Sequence, residues 1–260
     1  MRDPVRYARD GAVGVITLDR PDNRNSMTPE LLDAFVVASE AARTDAGARC
    51  VMVTGTGTSF SAGADFKSTL QRTNNQLAAS ERSYAMYEPF LSLLDVAVPV
   101  IAAINGHAVG GGFGLALLCD LRIGALDAKY GANFVRLGLS SGMAISYLLP
   151  RLIGVARASD LLFTGRFVEG REAEALGILN RAVAADQVVP EALALARTIA
   201  DNAPLAIRAT KQAIRHGLEL RIREAAHAEA LAQAETIATD DAREGIAALL
   251  AKRAPTFSGR

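Results

Sequence analysis

Residues 98–118 read Val98-Pro-Val-Ile-Ala-Ala-Ile104, then Asn105-Gly-His-Ala-Val109, then Gly110-Gly-Gly-Phe-Gly-Leu-Ala-Leu-Leu118. The first run is apolar and rich in β-branched residues, which predicts a strand buried on both faces. The glycines predict a turn that feeds a short apolar helix. A buried strand delivered into a helix is the unit of a parallel sheet, because parallel neighbours need a crossover between them. The flanking sequence repeats the unit. Leu121-Arg-Ile-Gly-Ala125 predicts the next strand and Cys50-Val-Met-Val-Thr54 an earlier one, followed by a Gly/Ser/Thr-rich loop from Gly55 to Gly63. Val13-Gly-Val-Ile-Thr-Leu18 predicts another strand, closed by the turn-forming Asp19-Arg-Pro-Asp-Asn23. Thr28 then caps a helix with Pro29 at its first position and Glu30 in its first turn, where the dipole favours an acid. Leu31, Leu32, Phe35, Ala38, Ala41 and Ala42 give that helix its apolar face, and a further helix is expected within Asp65 to Leu94. The fold class is α/β with largely parallel pairing.

Past Val183 the pattern changes. Pro190 to Asn202, Pro204 to His216, Leu218 to Thr239 and Asp241 to Arg253 are Ala-rich, helix-forming segments without β-branched runs. The expected division is an α/β core over residues 1–190 and a helical region over 191–260. Such a tail, with Ala and Leu on several faces, packs on the body or on other subunits. The 260 residues are 50% apolar and 22% charged, enough to bury a core without a disulfide or metal staple. Lys plus Arg (28) balances Asp plus Glu (28), which argues against a body that binds nucleic acid through phosphate neutralisation. Cys50 and Cys119 sit in apolar runs and read as buried free thiols in a reducing cytoplasm. The N-terminus has charges and no apolar h-region, so no secretory leader is expected. The most apolar stretch, Val96 to Cys119, is too interrupted to span a bilayer, and no membrane association is expected.

No phosphate-loop, zincin or EF-hand spacing is present, and no metal site is expected. The Gly110-Gly-Gly112 run has two readings. It exposes backbone N–H groups at a helix N-terminus, where the dipole favours negative charge, or it serves tight helix–strand packing. Gly138-Leu-Ser140-Ser-Gly142 matches the GxSxG nucleophile elbow, with Asp160 or Asp186 and His216 or His227 as partners in chain order. Context disfavours it: the segment before Ser140 is a weak strand, and both histidines lie in helical sequence. His107 reads as a hydrogen-bonded structural histidine beside the glycine turn. Tyr84, Tyr87 and Glu88 share a helical face, as core aromatics with a solvated acid or as part of a pocket lid.

Together these motifs resemble the enoyl-CoA hydratase/isomerase (crotonase) family. The resemblance rests on Ser59-Phe-Ser-Ala-Gly-Ala-Asp-Phe-Lys67, Pro99 to Gly112 and Leu118-Cys-Asp-Leu-Arg122. It extends through Asp19-Arg-Pro21, Leu162-Phe-Thr-Gly165, Ala173-Glu-Ala-Leu-Gly177 and Arg243-Glu-Gly245 to Lys252-Arg253, in the family's order. It implies a crotonase-like spiral of ββα turns with a C-terminal all-helical trimerisation region, as a homotrimer or dimer of trimers. It also implies an acyl-CoA substrate, with coenzyme A as part of the substrate and no permanently bound cofactor. By position, the backbone N–H groups of Ala64 and Gly111 would form an oxyanion hole. Ala62, Asp65, Phe66 and Lys67 would line the CoA channel, Arg24 would lie near its phosphates, and Lys252 near the adenine end of a neighbouring subunit's CoA.

The sequence departs from the family at its acids. Where hydratases of the family carry two glutamates, this chain has Gly114 and Phe134, and where some isomerases carry an aspartate it has Gly142. Each such group typically contributes 10²–10⁴-fold, so efficient water addition by that route is not expected. Substitutes in sequence order are Glu88, Ser140, Ser141, Tyr147, Tyr84 and Tyr87. The leading expectation is an enzyme that stabilises a thioester enolate with an unusual acid/base group. The alternatives are an acyl-CoA-binding protein with little catalysis and a GxSxG serine hydrolase.

Overall fold

The computed structural model describes residues 3–65 and 78–260. Strands β1 (Val5–Asp10), β2 (Val13–Leu18), β3 (Cys50–Gly55), β5 (Val100–Ile104), β7 (Leu121–Ala125) and β10 (Arg181–Val183) form one sheet, in the order β1-β2-β3-β5-β7-β10. Within it β1 and β2 are antiparallel and the other neighbours parallel. The short strands β4 (Ser59–Ser61), β6 (His107–Val109), β8 (Lys129–Gly131) and β9 (Val168–Glu169) form a second sheet in chain order. Three consecutive strand pairs, β3–β4, β5–β6 and β7–β8, therefore each place one strand in the large sheet and the next in the small one. That is the spiral the sequence implied. The loop expected from Gly55 to Gly63 contains β4, three buried residues too few to carry a period. The hairpin strand β1 was not expected: its Val-Arg-Tyr-Ala-Arg-Asp reads as polar, and Tyr7 is held by its hydroxyl, which donates to Asp45 Oδ2 at 2.8 Å.

Helix α1 (Pro29–Thr44) begins as its sequence predicts, with Thr28 Oγ1 accepting from Leu31 N. It packs against α2 (Ala79–Leu91) through an edge-to-face pair, Phe35 on Phe90, with ring centroids 4.8 Å apart. Helix α3 (Gly111–Leu118) is buried along its whole length, which explains why its sequence is apolar on every face. Then follow α4 (Ile145–Ile153), α5 (Val155–Thr164), α6 (Gly170–Leu176), α7 (Val188–Ala200), α8 (Pro204–Arg215), α9 (Leu218–Ile237) and α10 (Asp240–Ala251).

A buried ionic cluster seats the tail. Asp120, just after α3, pairs with Lys211 Nζ at 3.0 Å and Arg215 Nε at 2.7 Å, and accepts from Val100 N at 2.8 Å. Lys211 also donates to the carbonyls of Val96 and Val98, and Arg215 to that of Leu118. Arg122 donates to the carbonyls of Ile178 and Cys119. The Leu118–Arg122 motif is thus architectural, and removing one partner of so buried a cluster costs about 3–5 kcal/mol. Among the described residues no helix is long and apolar enough to cross a membrane.

Candidate active site

Strands β4 and β6 are parallel, with Ser59 opposite His107 and Ser61 opposite Ala108, so both leave the small sheet at the same end. After β4 the chain turns through Gly63 (φ +78°) into Ala64, and after β6 through Gly110 (φ +54°) into Gly111. A Cβ on Gly63 would stand 2.6 Å from Val109 O and 3.2 Å from Gly111 N, so glycine is what lets the two turns touch. Ala64 bridges Met27 in parallel, with Met27 N–H donating to the Gly63 carbonyl at 2.8 Å. In that pattern the Ala64 N–H faces away from Met27. Gly111 opens α3, so its N–H has no intrahelical acceptor. Among the described residues neither N–H has a backbone acceptor. Two adjacent donors therefore stand at the positive end of a buried helix.

The wall beside them is apolar. A Cβ on Gly111 would meet Met27 Sδ at 2.2 Å and Met143 Cγ at 3.8 Å. One on Gly114 would meet Met143 Cβ at 2.4 Å and Ile145 Cδ1 at 3.4 Å, and one on Gly110 would meet the Phe134 ring at 3.8 Å. Met143 and Ala144 are fully buried, yet both take the left-handed conformation, at φ +63° and +55°. Such non-glycine residues store about 1–3 kcal/mol each and persist only where the surroundings hold them. Gly112 has a different reason to be glycine, since its Cβ would lie 2.3 Å from Ser61 O. The two readings of the glycine run thus fall on different residues: Gly112 serves packing, and Gly111 presents an N–H.

Arg24 is exposed, with its carbonyl accepting from Ala62 N at 3.0 Å, so the two stand together with Asp65 beside the Ala64 turn. Phe66 and Lys67 lie outside the described residues. Lys252 is exposed at the end of α10 in a left-handed cap (φ +53°). Sequence reasoning missed Asn25, which is fully buried at φ +53° and staples this corner. Its amide donates to the carbonyls of Thr56 and Ser59, its Oδ1 accepts from Arg20 N, and its own carbonyl accepts from Ser61 Oγ. An asparagine in a tight turn was the available signal, because asparagine tolerates positive φ.

The acid/base candidates gather elsewhere. Ser140, Ser141 and Tyr147 line a groove of about 510 Å³ between α4 and α9, with Ser146, Glu229 and alanines of α9. Glu229, which sequence reasoning also missed, is 7% exposed. Its Oε1 accepts from Ser146 N at 2.8 Å and from Ser146 Oγ. Burial pushes its carboxyl above the usual range, against the opposing pull of the Ser146 and Ala144 amides and the Ser146 and Ser141 hydroxyls. Ser140 Oγ, Ser141 Oγ and Glu229 Oε2 are buried without a well-aligned hydrogen-bond partner among the described residues. Tyr87 is buried and donates to Gln233 Oε1, and burial raises its pKa. Glu88 is exposed on α2. The nucleophile-elbow reading finds no base on Ser140: His227 packs edge-on against Tyr84, and His216 caps the end of α8. His107 Nδ1 accepts from Lys129 N at 3.0 Å, a structural role.

The sequence profile of the enoyl-CoA hydratase/isomerase family matches residues 8–260, nearly the whole chain and both turns of the donor corner. The chain belongs to the enoyl-CoA hydratase/isomerase family. It is 39% identical to a putative enoyl-CoA hydratase of Thermus thermophilus, over 95% of this chain and 98% of that one. It is 37% identical to a probable enoyl-CoA hydratase of Mycobacterium leprae, over 95% of each. Its fold matches the crystal structure of an enoyl-CoA hydratase/isomerase from Pseudoalteromonas atlantica with a TM-score of 0.87 and 29% identity, covering 98% of this chain and 100% of that one. The α/β spiral with helical tail is the crotonase fold of the family, whose members act on coenzyme A thioesters.

Proposed function

We propose that this chain binds an acyl-CoA thioester and stabilises its enolate at the Ala64 and Gly111 N–H groups. The observation that supports the reading is the meeting of the β4 and β6 turns, which sets side by side two donors with no backbone acceptor among the described residues, at a helix N-terminus. Donors fixed before the reaction stabilise developing charge without reorganising, which is why an oxyanion site is built from backbone. Arg24, Ala62, Asp65, Phe66 and Lys67 would hold the CoA handle, with Lys252 reaching a neighbouring subunit's CoA in a homotrimer or dimer of trimers. CoA arrives as part of the substrate, no permanent cofactor is required, and the cytoplasm is the expected compartment.

Among the described residues, the side chains nearest Gly110, Gly111 and Gly114 are Phe134, Met27, Met143 and Ile145, none of which transfers a proton. This favours reactions in which the substrate itself forms or quenches the enolate over two-carboxylate hydration. It also favours the second reading, an acyl-CoA binder with little turnover. Incubation with a panel of acyl-CoAs, followed by mass spectrometry for hydration, isomerisation, decarboxylation and hydrolysis, separates them. Crotonyl-CoA hydration is expected to be slow, and fast hydration would overturn the reading that this wall supplies no acid.

A further inference from the structure

Helix α9 carries a polar stripe on the face turned to the core. Glu229, Gln233 and Thr236 are spaced four and three residues apart and so share one side of the helix. All three grip the same stretch of chain. Thr236 Oγ1 accepts from Ser140 N at 3.2 Å, and Gln233 Nε2 donates to Ser140 O at 3.0 Å. Glu229 holds the other end through Ser146 N and Oγ. Between those grips lie Gly142, Met143 and Ala144. Gly142 leaves no space for a side chain, since a Cβ there would stand 2.3 Å from the Tyr87 hydroxyl and 2.8 Å from Gln233 Nε2.

Two features show that this stretch needs holding. Met143 and Ala144 are consecutive non-glycine residues in the left-handed region, a conformation the chain does not choose unaided. Helix α4 begins at Ile145 behind Ala144, which has no side chain to cap it. The Glu229 carboxylate supplies the missing acceptor from another helix. Its position in the first turn of α4 is also where the dipole favours negative charge. Between the two grips, Met143 packs against Gly111, beside Met27, and against Gly114.

We propose that Glu229 is a positioning residue. By capping α4 from the tail it fixes Met143 against the donor corner and so keeps the Gly111 N–H aimed at the thioester oxygen. This inference rests on the oxyanion reading above, and the test separates the two. The probe is acetoacetyl-CoA, a thioester with an acidic α-carbon whose enolate absorbs in the near ultraviolet when charge on its oxygen is stabilised. Wild-type protein at saturation should show the enolate band. Its absence would overturn the oxyanion reading itself.

If wild type shows the band, the Glu229 variants decide the inference. Glu229→Ala removes the acceptor, and Glu229→Asp keeps the charge but withdraws the carboxylate from Ser146. Both should reduce the bound enolate about tenfold or more, the usual consequence of misplacing a reacting group by an ångström. Affinity for CoA alone should stay within about threefold, because the handle is bound elsewhere. Glu229→Gln keeps an acceptor for the Ser146 N–H and should recover most of the band. A merely structural role would lower the melting temperature without changing the enolate fraction of the folded protein. If Glu229→Ala does not fold, Glu229→Asp decides, together with Ser146→Ala, which removes one donor at an exposed position and should cause a smaller loss. An unchanged band in the folded variants overturns the proposal.

Discussion

The donor corner and the α4/α9 groove are separated by a single stretch of chain, Ser140 to Ser146, and they are built in opposite ways. At the corner the polar groups are backbone N–H groups, and among the described residues the side chains nearest its glycines are Met27, Met143, Phe134 and Ile145. In the groove the polar groups are side chains, Glu229, Ser140, Ser141 and Ser146, three of them with a buried oxygen that lacks a well-aligned partner among the described residues. Backbone donors cannot titrate and cannot swing away, so they suit a site that must stabilise charge at any pH. A buried carboxyl behind the wall does the reverse: it is costly to ionise, and its value is in what it holds. The contrast separates charge stabilisation from proton transfer, and three predictions test it.

The largest effect is expected at Gly111. Gly111→Pro removes the N–H, and proline is tolerated at the first position of a helix, so α3 should still form. Loss of one such donor typically lowers turnover about 10²–10³-fold. Both Gly111→Pro and Gly111→Ala place a Cβ against Met27 Sδ, at 2.2 Å before that side chain moves, so the alanine variant controls for crowding. Turnover of the best substrate in the acyl-CoA panel, with circular dichroism as a fold check, should fall much further for proline than for alanine. Equal losses would mean that steric fit, not the donor, matters at this corner.

The second prediction concerns Gly114, where the family resemblance implies a glutamate. A glutamate at 114 cannot be accommodated as the chain stands, because its Cβ would lie 2.4 Å from Met143 Cβ, an atom that every residue but glycine carries. Gly114→Glu alone should destabilise the fold by about 1–3 kcal/mol, the usual cost of overpacking a filled core. Adding Met143→Gly removes the colliding atom and suits a position at φ +63°. The double variant should melt higher than Gly114→Glu, while its bound enolate falls below wild type because the Met143 side chain no longer packs on the donor corner. If Gly114→Glu melts like wild type, the wall is softer than its packing implies.

These positions show what sequence could and could not disclose. The long elements were legible because burial writes a period into them: Cys50–Gly55 and Val100–Ile104 are continuous apolar runs, and α7 to α10 are Ala-rich segments close to their expected bounds. Strands β4, β6 and β8, three residues each, are too short to show alternation, although they create the donor corner. Gly111 and Ala64 were proposed through the family resemblance, since a backbone N–H leaves no mark in side-chain chemistry. Met143 gave no signal at all, because nothing in Gly-Met-Ala announces two left-handed residues. Glu229 sits among alanines in a helical segment and was not singled out; only the return of α9 over α4 buries it.

The smallest effect is the pH dependence of that buried acid. Burial is the leading influence on Glu229 and raises its folded-state pKa above the unfolded value, despite the donors from Ser146. A carboxyl shifted upward contributes stability that is fully present below the unfolded pKa and is lost as pH rises through the folded one. Glu229→Gln has nothing to ionise and escapes that loss. Tyr87, also buried, stays protonated because its own pKa is raised, with burial first and Glu229 second among the causes. Thermal melts of wild type and Glu229→Gln from acid to neutral pH should therefore diverge. The gap should be least in acid, grow in favour of the glutamine variant as pH rises, and level off once Glu229 is ionised. For a chain of this size about 1 kcal/mol corresponds to about 2–4 °C, so the divergence is within reach of calorimetry. A gap that stays constant with pH, or that turns to favour wild type at neutral pH, would mean that the Ser146 donors outweigh burial. Glu229 would then be held as a stabilised anion rather than as a strained one.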